Sequence, residues 1–294
     1  MSVHKKKNIE YKEKNAVDPG VLYLVATPIG NLADLSERAL KVLSEVDFIA
    51  AEDTRNTGAM LSRFDISKPM ISYFEHNKKE RGPAIVERLK NGESCALVTD
   101  AGTPAISDPG EDIVRLCAEN SVRVTSIPGC CAAVTALTLS GLITSRFCFE
   151  GFLSAAKSER AERLNELKNE NRTMIFYEAP HKLKRTLTDL LNAFGNRKIT
   201  LCRELTKLNE EVMRTTTEEA VKVYEEREPR GEYVLIIEGS TKSEQKNDYP
   251  EDPTAHVHEL MESGLSKMEA IKTAAKIRGV AKNEIYSAVN SLKD

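Results

Sequence analysis

Four short segments of this chain combine ionisable, glycine and proline residues in patterns that can do chemistry. Glu52-Asp53-Thr54-Arg55 sets two carboxylates and a guanidinium within one tetrapeptide. Such a group can position a substrate hydroxyl or phosphate and take up a proton, or it can close on itself as a local salt-bridge network. Glu75-His76-Asn77 contributes a histidine that can move a proton near neutral pH, or that caps a helix at the surface. Asp100-Ala101-Gly102-Thr103-Pro104-Ala105-Ile106-Ser107-Asp108-Pro109-Gly110 is long and interrupted by two glycines and two prolines. Asp100 can accept hydrogen bonds from a ligand's hydroxyl or amino groups, and Gly102 leaves room for close approach. The alternative is a rigid turn in which Asp108 caps the following helix. Thr27-Pro28-Ile29-Gly30-Asn31 is a tight turn ahead of a helix, whose free N–H groups suit a polar or anionic ligand. Any strand-to-helix connection can use the same residues. Absent are a G-x-G-x-x-G after the first strand, a G-x-x-x-x-G-K-[ST] phosphate loop, H-E-x-x-H and G-x-S-x-G. A nucleoside-like ligand would have to be held in some other way.

All four segments follow short apolar runs, and the runs alternate with amphipathic stretches. Strands are expected at Val21–Val25, Phe48–Ala51, Met70–Phe74, Cys95–Thr99 and Val122–Ile127. Helices are expected between them near Ser36–Leu43, Thr57–Phe64, Pro83–Lys90 and Asp112–Glu119. That alternation implies a mostly parallel sheet covered on both faces. A second series begins with a buried helix at Cys130–Leu139. It continues with strands at Phe147–Phe152, Thr173–Tyr177, Ile199–Glu204 and Tyr233–Ile237, and helices at Ser158–Lys168, Lys182–Phe194 and Glu218–Glu226. The fold class is therefore α/β: two α/β domains with a cleft between them, the usual place for a ligand, plus a small all-helical C-terminal module.

The domain limits read as a tail over 1–20, domains over 21–129 and 130–240, a polar linker over 241–253 and the helical module over 254–294. In the module, Thr254 is expected to cap a helix reaching Met261, and Ser266 with Glu269 forms a capping-box pattern ahead of Ala270–Ile277. A Gly279-Val280 turn then leads to a last helix at Asn283–Leu292. Helix, glycine turn, helix fits a helix-turn-helix and equally a plain packing or dimerisation module.

The chain has 294 residues with a net charge of −3, and 40% of them are hydrophobic. Its apolar runs are too short to cross a bilayer and its first residues lack a signal peptide's apolar core, so a cytoplasmic location is expected. The six cysteines form no C-x-x-C pair and read as small buried hydrophobes, and no metal site is expected. The slight negative charge weighs against a nucleic-acid partner unless a local basic face exists.

Leu22–Asp34 (LYLVATPIGNLAD), Ala50–Arg55 (AAEDTR), His76-Asn77 and Val98–Gly110 (VTDAGTPAISDPG) resemble the ribosomal RNA small-subunit methyltransferase I group. This is the cytidine 2′-O-methyltransferase branch of the tetrapyrrole (corrin/porphyrin) methylase superfamily. FCFEGFL at Phe147–Leu153, TMIFYE at Thr173–Glu178, RELT at Arg203–Thr206 and GEYVLIIEG at Gly231–Gly239 extend the resemblance over about residues 21–240. The D-A-G-T-P…D-P-G loop marks the superfamily; TPIGNLAD, AEDTR and FYE together mark the RNA-methylating branch. One departure is Cys130, which follows Pro128-Gly129 where the family usually has proline.

The resemblance implies a homodimer with S-adenosylmethionine, and no metal, in the cleft, and 16S ribosomal RNA or the small ribosomal subunit as substrate. Carried over residue by residue, the cofactor would touch Pro28, Gly30, Asp100, Gly102, Thr103, Cys131 and Ala132, with Tyr177, Glu178, Gly231 and Tyr233 as further candidates. Glu52, Asp53, Arg55 and His76 would lie on the acceptor side: a carboxylate or the histidine as base, and Arg55 on a phosphate. The helical module would add RNA affinity through Lys267, Lys272, Lys276, Arg278 and Lys282. Two rival readings are a tetrapyrrole C-methyltransferase, disfavoured by AEDTR and FYE, and a helix-turn-helix regulator that senses a small ligand.

Overall fold

The computed structural model describes residues 16–241 and 249–290. The first lobe runs β1 (Val21–Val25), α1 (Glu37–Glu45), β2 (Phe48–Ala51), α2 (Thr54–Ser62), β3 (Met70–Ser72), α3 (Lys78–Lys90), β4 (Cys95–Val98), α4 (Gly110–Glu119) and β5 (Arg123–Ile127). The second runs α5 (Ala132–Ser140), β6 (Phe147–Phe152), α6 (Lys157–Leu167), β7 (Thr173–Glu178), α7 (Pro180–Phe194), β8 (Lys198–Arg203), β9 (Glu211–Thr216), α8 (Thr217–Glu226) and β10 (Tyr233–Ile237). These lobes form one compact unit ending at Gly239, and a separate unit begins at Ser240. That unit holds α9 (Pro253–Glu262), α10 (Lys267–Arg278) and α11 (Lys282–Asn290).

The first sheet is wholly parallel, in the order β3-β2-β4-β1-β5. Alternation along β1 explains the two-faced core. Tyr23 points into a cluster with Val42, Leu43 and Leu61, while Leu22 points the opposite way among Phe48, Ile85, Leu97 and Ile113. Central strands β2 and β4 are buried at every position, as parallel strands covered on both faces must be.

The second sheet, β6-β7-β10-β8-β9, is mixed: β6 and β7 are parallel, and β10 runs antiparallel to both β7 and β8. Its last strand, β9, has no counterpart in the sequence reading. It is an edge strand, and its residues Glu211, Arg214 and the two threonines lack the apolar alternation of a half-buried strand. The break expected after residue 129 falls between β5 and α5. Ala133, Ala136 and Leu137 of α5 pack on Ile175, Cys202, Val234 and Ile236 of the second sheet.

Helix α3 starts a turn earlier than its proline suggested. Asn77 holds that turn, accepting the Phe74 N–H at 2.8 Å and donating to the Ser72 carbonyl at 3.1 Å. Lys78, the first helical residue, pairs at 2.6 Å with both Glu75 and Asp112. Within the expected tail, residues 16–20 are tied to the lobe: the Asp18 N–H donates to the Tyr23 hydroxyl at 2.7 Å, and Arg123 donates to the Asp18 carboxylate. Residues 1–15 lie outside the described residues, as do 242–248 of the expected linker and the end of the last expected helix.

The helical unit has its own small core of Val257, Ala270, Ile271, Ala274 and Ile285. The Ser266/Glu269 capping box forms as its spacing predicts, and Gly279 ends α10 in the left-handed conformation. The first helix is capped by Asp252, not Thr254: its carboxylate accepts the Thr254 and Ala255 N–H groups at 3.1 Å each.

Candidate active site

Strand order creates the cleft. From β1 the chain crosses beyond β4 to reach β2, and from β4 it crosses beyond β1 to reach β5. The loops after β1 and β4 therefore leave the sheet in opposite directions and open a crevice at the strand C-termini. Their bases are stitched together: the Thr27 N–H donates to the Gly102 carbonyl at 2.9 Å, and the Gly102 N–H donates back at 3.0 Å. The loop after β4 is rigid. The Asp108 carboxylate accepts N–H groups from Ala105 at 2.9 Å, Ile106 at 3.1 Å and Gly110 at 2.7 Å. This holds Ala105 and Ser107 at φ +70° and +69°, a conformation that costs about 1–3 kcal/mol per residue elsewhere. Asp108 thus acts on the loop itself, while the helix cap position is Pro109.

The first lobe's charged groups divide in two. Glu52 lines the cleft and accepts the Asp100 N–H at 3.3 Å. Burial, reinforced by the charges of Asp100 and Asp108, pushes its carboxyl above the ordinary value. Asp53 turns away to cap α2 and accepts the Arg55 N–H at 2.8 Å and its guanidinium at 2.6 Å. Those bonds hold Asp53 well below the carboxylate range, which makes it a poor base. The Arg55 side chain is 89% exposed. His76 is exposed, edge-on to Phe74 at 6.1 Å. Asp53, Arg55 and His76 do not line the cleft, whereas Asp100, Gly102 and Thr103 do. Asn56 donates to Asp100 at 3.1 Å, and the Thr103 hydroxyl donates to the Cys130 carbonyl at 2.8 Å.

The second lobe supplies the opposite wall. Cys131, Ala132, Tyr177, Glu178 and Tyr233 line it. The Ala133 N–H donates to the Tyr177 hydroxyl at 3.1 Å, and burial pushes that phenol up to about 12. The Tyr177 ring packs edge-on against Phe149 and Phe152, with centroids 5.0 and 5.5 Å away. Glu178 is buried. It accepts the Ala179 N–H at 2.8 Å and the Thr186 hydroxyl, Thr186 accepts from Arg160 at 2.8 Å, and Arg160 donates to Asp189 at 2.6 Å.

Sequence reasoning missed the loop after β8. Glu204, Leu205 and Lys207 line the cleft with Glu232, and Lys207 bridges Glu204 at 2.8 Å and Glu232 at 2.9 Å. The signal was present in RELT, which sits at a strand C-terminus. Pro28, Gly30 and Gly231 do not line the cleft; the two glycines admit this loop. A Cβ on Gly30 would lie 2.4 Å from Lys207 Cγ, and one on Gly231, at φ +77°, 2.5 Å from Glu204 Cγ. The cleft encloses about 510 Å³ and carries the carboxylates of Glu52, Asp100, Asp108, Glu178, Glu204 and Glu232 against the single ammonium of Lys207.

Residues 21–221 match the profile of the Tetrapyrrole (Corrin/Porphyrin) Methylases. The chain belongs to this family. It is 49% identical over 273 residues to the ribosomal RNA small subunit methyltransferase I of Halalkalibacterium halodurans, covering 92% of this chain and 94% of that one. The protein of the same name from Bacillus subtilis is 46% identical over 92% of this chain and 94% of its own. Among tetrapyrrole methylases of solved structure, a cobalt precorrin-4 methyltransferase superposes with a TM-score of 0.56 at 14% identity, over 74% of this chain and 95% of that one. At that identity the likeness concerns the fold alone. The cleft described above is built almost wholly within the matched residues, with Glu232, Tyr233 and Val234 just beyond them. No cluster of three or more metal-ligating side chains occurs among the described residues, and none of their helices is long and apolar enough to cross a membrane.

In the helical unit, Lys267, Lys272, Lys276 and Lys282 are exposed. Arg278 differs from them. It donates to His256 Nδ1 at 3.1 Å, to the Glu251 carbonyl at 3.0 Å and to the Pro250 carbonyl, and lies over the Tyr249 ring, so its donors serve the unit's own fold.

Proposed function

We propose that this chain transfers the methyl group of S-adenosylmethionine to the ribose 2′-hydroxyl of a cytidine in small-subunit ribosomal RNA, as a cytoplasmic homodimer. The observation that carries the reading is its near full-length identity to enzymes named for that RNA. The tetrapyrrole alternative rests on the fold alone.

The cleft's residues suit the donor. Its volume lies within the range of ligand pockets, roughly 300–1,000 Å³. Its excess of carboxylates favours a ligand with sulfonium and ammonium charges, and Phe152 and Tyr177 give an apolar wall for a base or a methyl group. The residues to hold the donor are Asp100, Gly102, Thr103, Cys131, Ala132, Tyr177, Glu178 and Tyr233, with Pro28, Gly30 and Gly231 shaping the loops behind them. When bound, the donor supplies an electrophilic methyl group that a nucleophile must meet in line with the departing sulfur.

The chain's task is then to orient a hydroxyl and remove its proton. Glu52 is the base best fitted to this: it faces the cleft, and its raised affinity for a proton brings it closer to the working pH than Asp53. Asp53 fixes Arg55 outward, where the guanidinium can meet an RNA phosphate, and His76 is likewise exposed to a macromolecular substrate. The exposed lysines of the helical unit would add phosphate contacts. The test is radiolabelled methyl transfer to small ribosomal subunits, followed by mapping of the modified nucleotide. Label at a single cytidine ribose is expected; label in a porphyrinoid and none in RNA would sink the proposal.

A further inference from the structure

A second concavity lies outside the cleft, between α6 and α7, with a volume of about 480 Å³. Lys157, Arg160, Lys168 and Arg185 line it against the single carboxylate of Asp189. The spacing is helical. Lys157, Ala161, Leu164 and Lys168 follow one face of α6, and Arg185, Asp189 and Asn192 one face of α7. Between Lys157 and Lys168 that face runs about 17 Å at 1.5 Å per residue. None of the acidic residues of α6, Glu159, Glu162 and Glu166, lines it: Glu159 accepts from Ser154 at 2.7 Å and Glu166 from Arg163 at 2.7 Å.

Asp189 is already shared by two guanidiniums, Arg160 at 2.6 Å and Arg185 at 3.6 Å. Lys157 and Lys168 are exposed, and no acidic side chain among the described residues pairs with either. Asn165 and Asn192 add exposed amide donors on the same walls, and Ala161, Leu164 and Ala193 add an apolar floor. On a chain of net charge −3 this is a local excess of positive charge with exposed donors in a row, suited to a polyanion and unsuited to a cationic sulfonium donor.

We propose that the α6–α7 groove binds the sugar-phosphate backbone of the RNA substrate, flanking the nucleotide that enters the cleft. The assignment rests on the ribosomal RNA reading above. The groove also adjoins the cleft through its buried edge, since Arg160, which lines the groove, reaches Glu178 in the cleft wall by way of Thr186.

The experiment uses the full chain and a Lys157→Glu/Lys168→Glu double variant, with a Lys157→Ala/Lys168→Ala variant as the milder form. Affinity for a single-stranded RNA oligonucleotide and for small ribosomal subunits is measured across a salt series. Loss of two phosphate contacts is expected to weaken binding to both at least tenfold and to flatten the dependence of log K on log salt by about 1.4, at roughly 0.7 per contact on single strands. Methyl transfer is expected to show a raised KM for RNA with kcat unchanged. Donor affinity by calorimetry and the melting temperature should match the unaltered protein, which separates a lost contact from a lost fold. Unchanged RNA affinity and salt slope in both variants would overturn the groove assignment. So would a defect seen with assembled subunits and not with the oligonucleotide, because the groove would then meet ribosomal protein. An unaltered protein that methylates no RNA would defeat the functional reading and the groove together; an active one matched by its variants would defeat the groove alone.

Discussion

The cleft and the α6–α7 groove share Arg160's hydrogen-bond chain as a boundary and have opposite character. The cleft is lined by six carboxylates and one ammonium, walled by aromatics and roofed by rigid loops. The groove, of similar volume, is lined by four cations and one carboxylate. On the readings proposed above, charge is sorted by site, a carboxylate-lined cleft for a cationic donor and a cation-lined groove for a polyanionic acceptor, and the total says little about either.

The sharpest way to break that contrast is to neutralise Glu52, the cleft carboxylate proposed as the base, whose proton affinity is raised by burial. Glu52→Gln is expected to lower kcat about 10²–10⁴-fold, with donor and RNA affinities unchanged, measured by single-turnover methyl transfer. The same group sets a pH dependence. Glu52 must be ionised to act, so turnover is expected to fall as pH drops through its raised value, and the acid limb of the kcat profile should vanish in the variant. Next in size is the boundary itself. Arg160→Met leaves Asp189 and the Thr186–Glu178 pair without their buried partner, at a cost of about 3 kcal/mol. For a unit of this size that lowers the melting temperature by roughly 6–12 °C, and donor affinity should weaken with it.

Salt then sharpens the comparison. Raising it from about 50 to 200 mM should cut RNA affinity tenfold or more while donor affinity changes less than twofold, because binding a polyanion releases condensed counterions and binding a small donor does not. The smallest effect is expected in the helical unit. There burial and Arg278 lower the pKa of His256 below its usual 6.5, so the neutral ring is the folded form. Stability from that ring is present above the unfolded value and lost as pH falls, so the unit should melt at lower temperature at pH 5 than at pH 7.5. A His256→Gln variant should show a flatter response.

Much of this was legible in the sequence wherever burial imposes a strict pattern. The strands at Val21–Val25, Phe48–Ala51 and Tyr233–Ile237 stand as their apolar runs predict, because each is held on both sides by other strands, and edge strand Phe147–Phe152 was read from its three phenylalanines. Edge strand β9 was illegible, since a strand that half faces water carries little apolar signal. At the site, the family resemblance supplied the second-lobe wall, and the strand-end rule picked out Glu52 and Asp100. It could not separate Glu52 from Asp53, because their difference arises from capping: β2 ends at Ala51, Glu52 continues toward the cleft, and Asp53 swings away to close the first turn of α2. The Glu204–Lys207 loop was equally hidden. Its place in the cleft depends on two glycines from distant parts of the chain, a coincidence that only three dimensions reveal.

That interlock bears on traffic through the site. The β8–β9 connection is lodged against the first lobe's turn at Gly30 and, within its own lobe, against Gly231, so Lys207 sits as a key at the junction of the two lobes. With the lobes keyed at that point, a cross-link between them is expected to leave the exchange rates of donor and product unchanged, measured by stopped-flow binding.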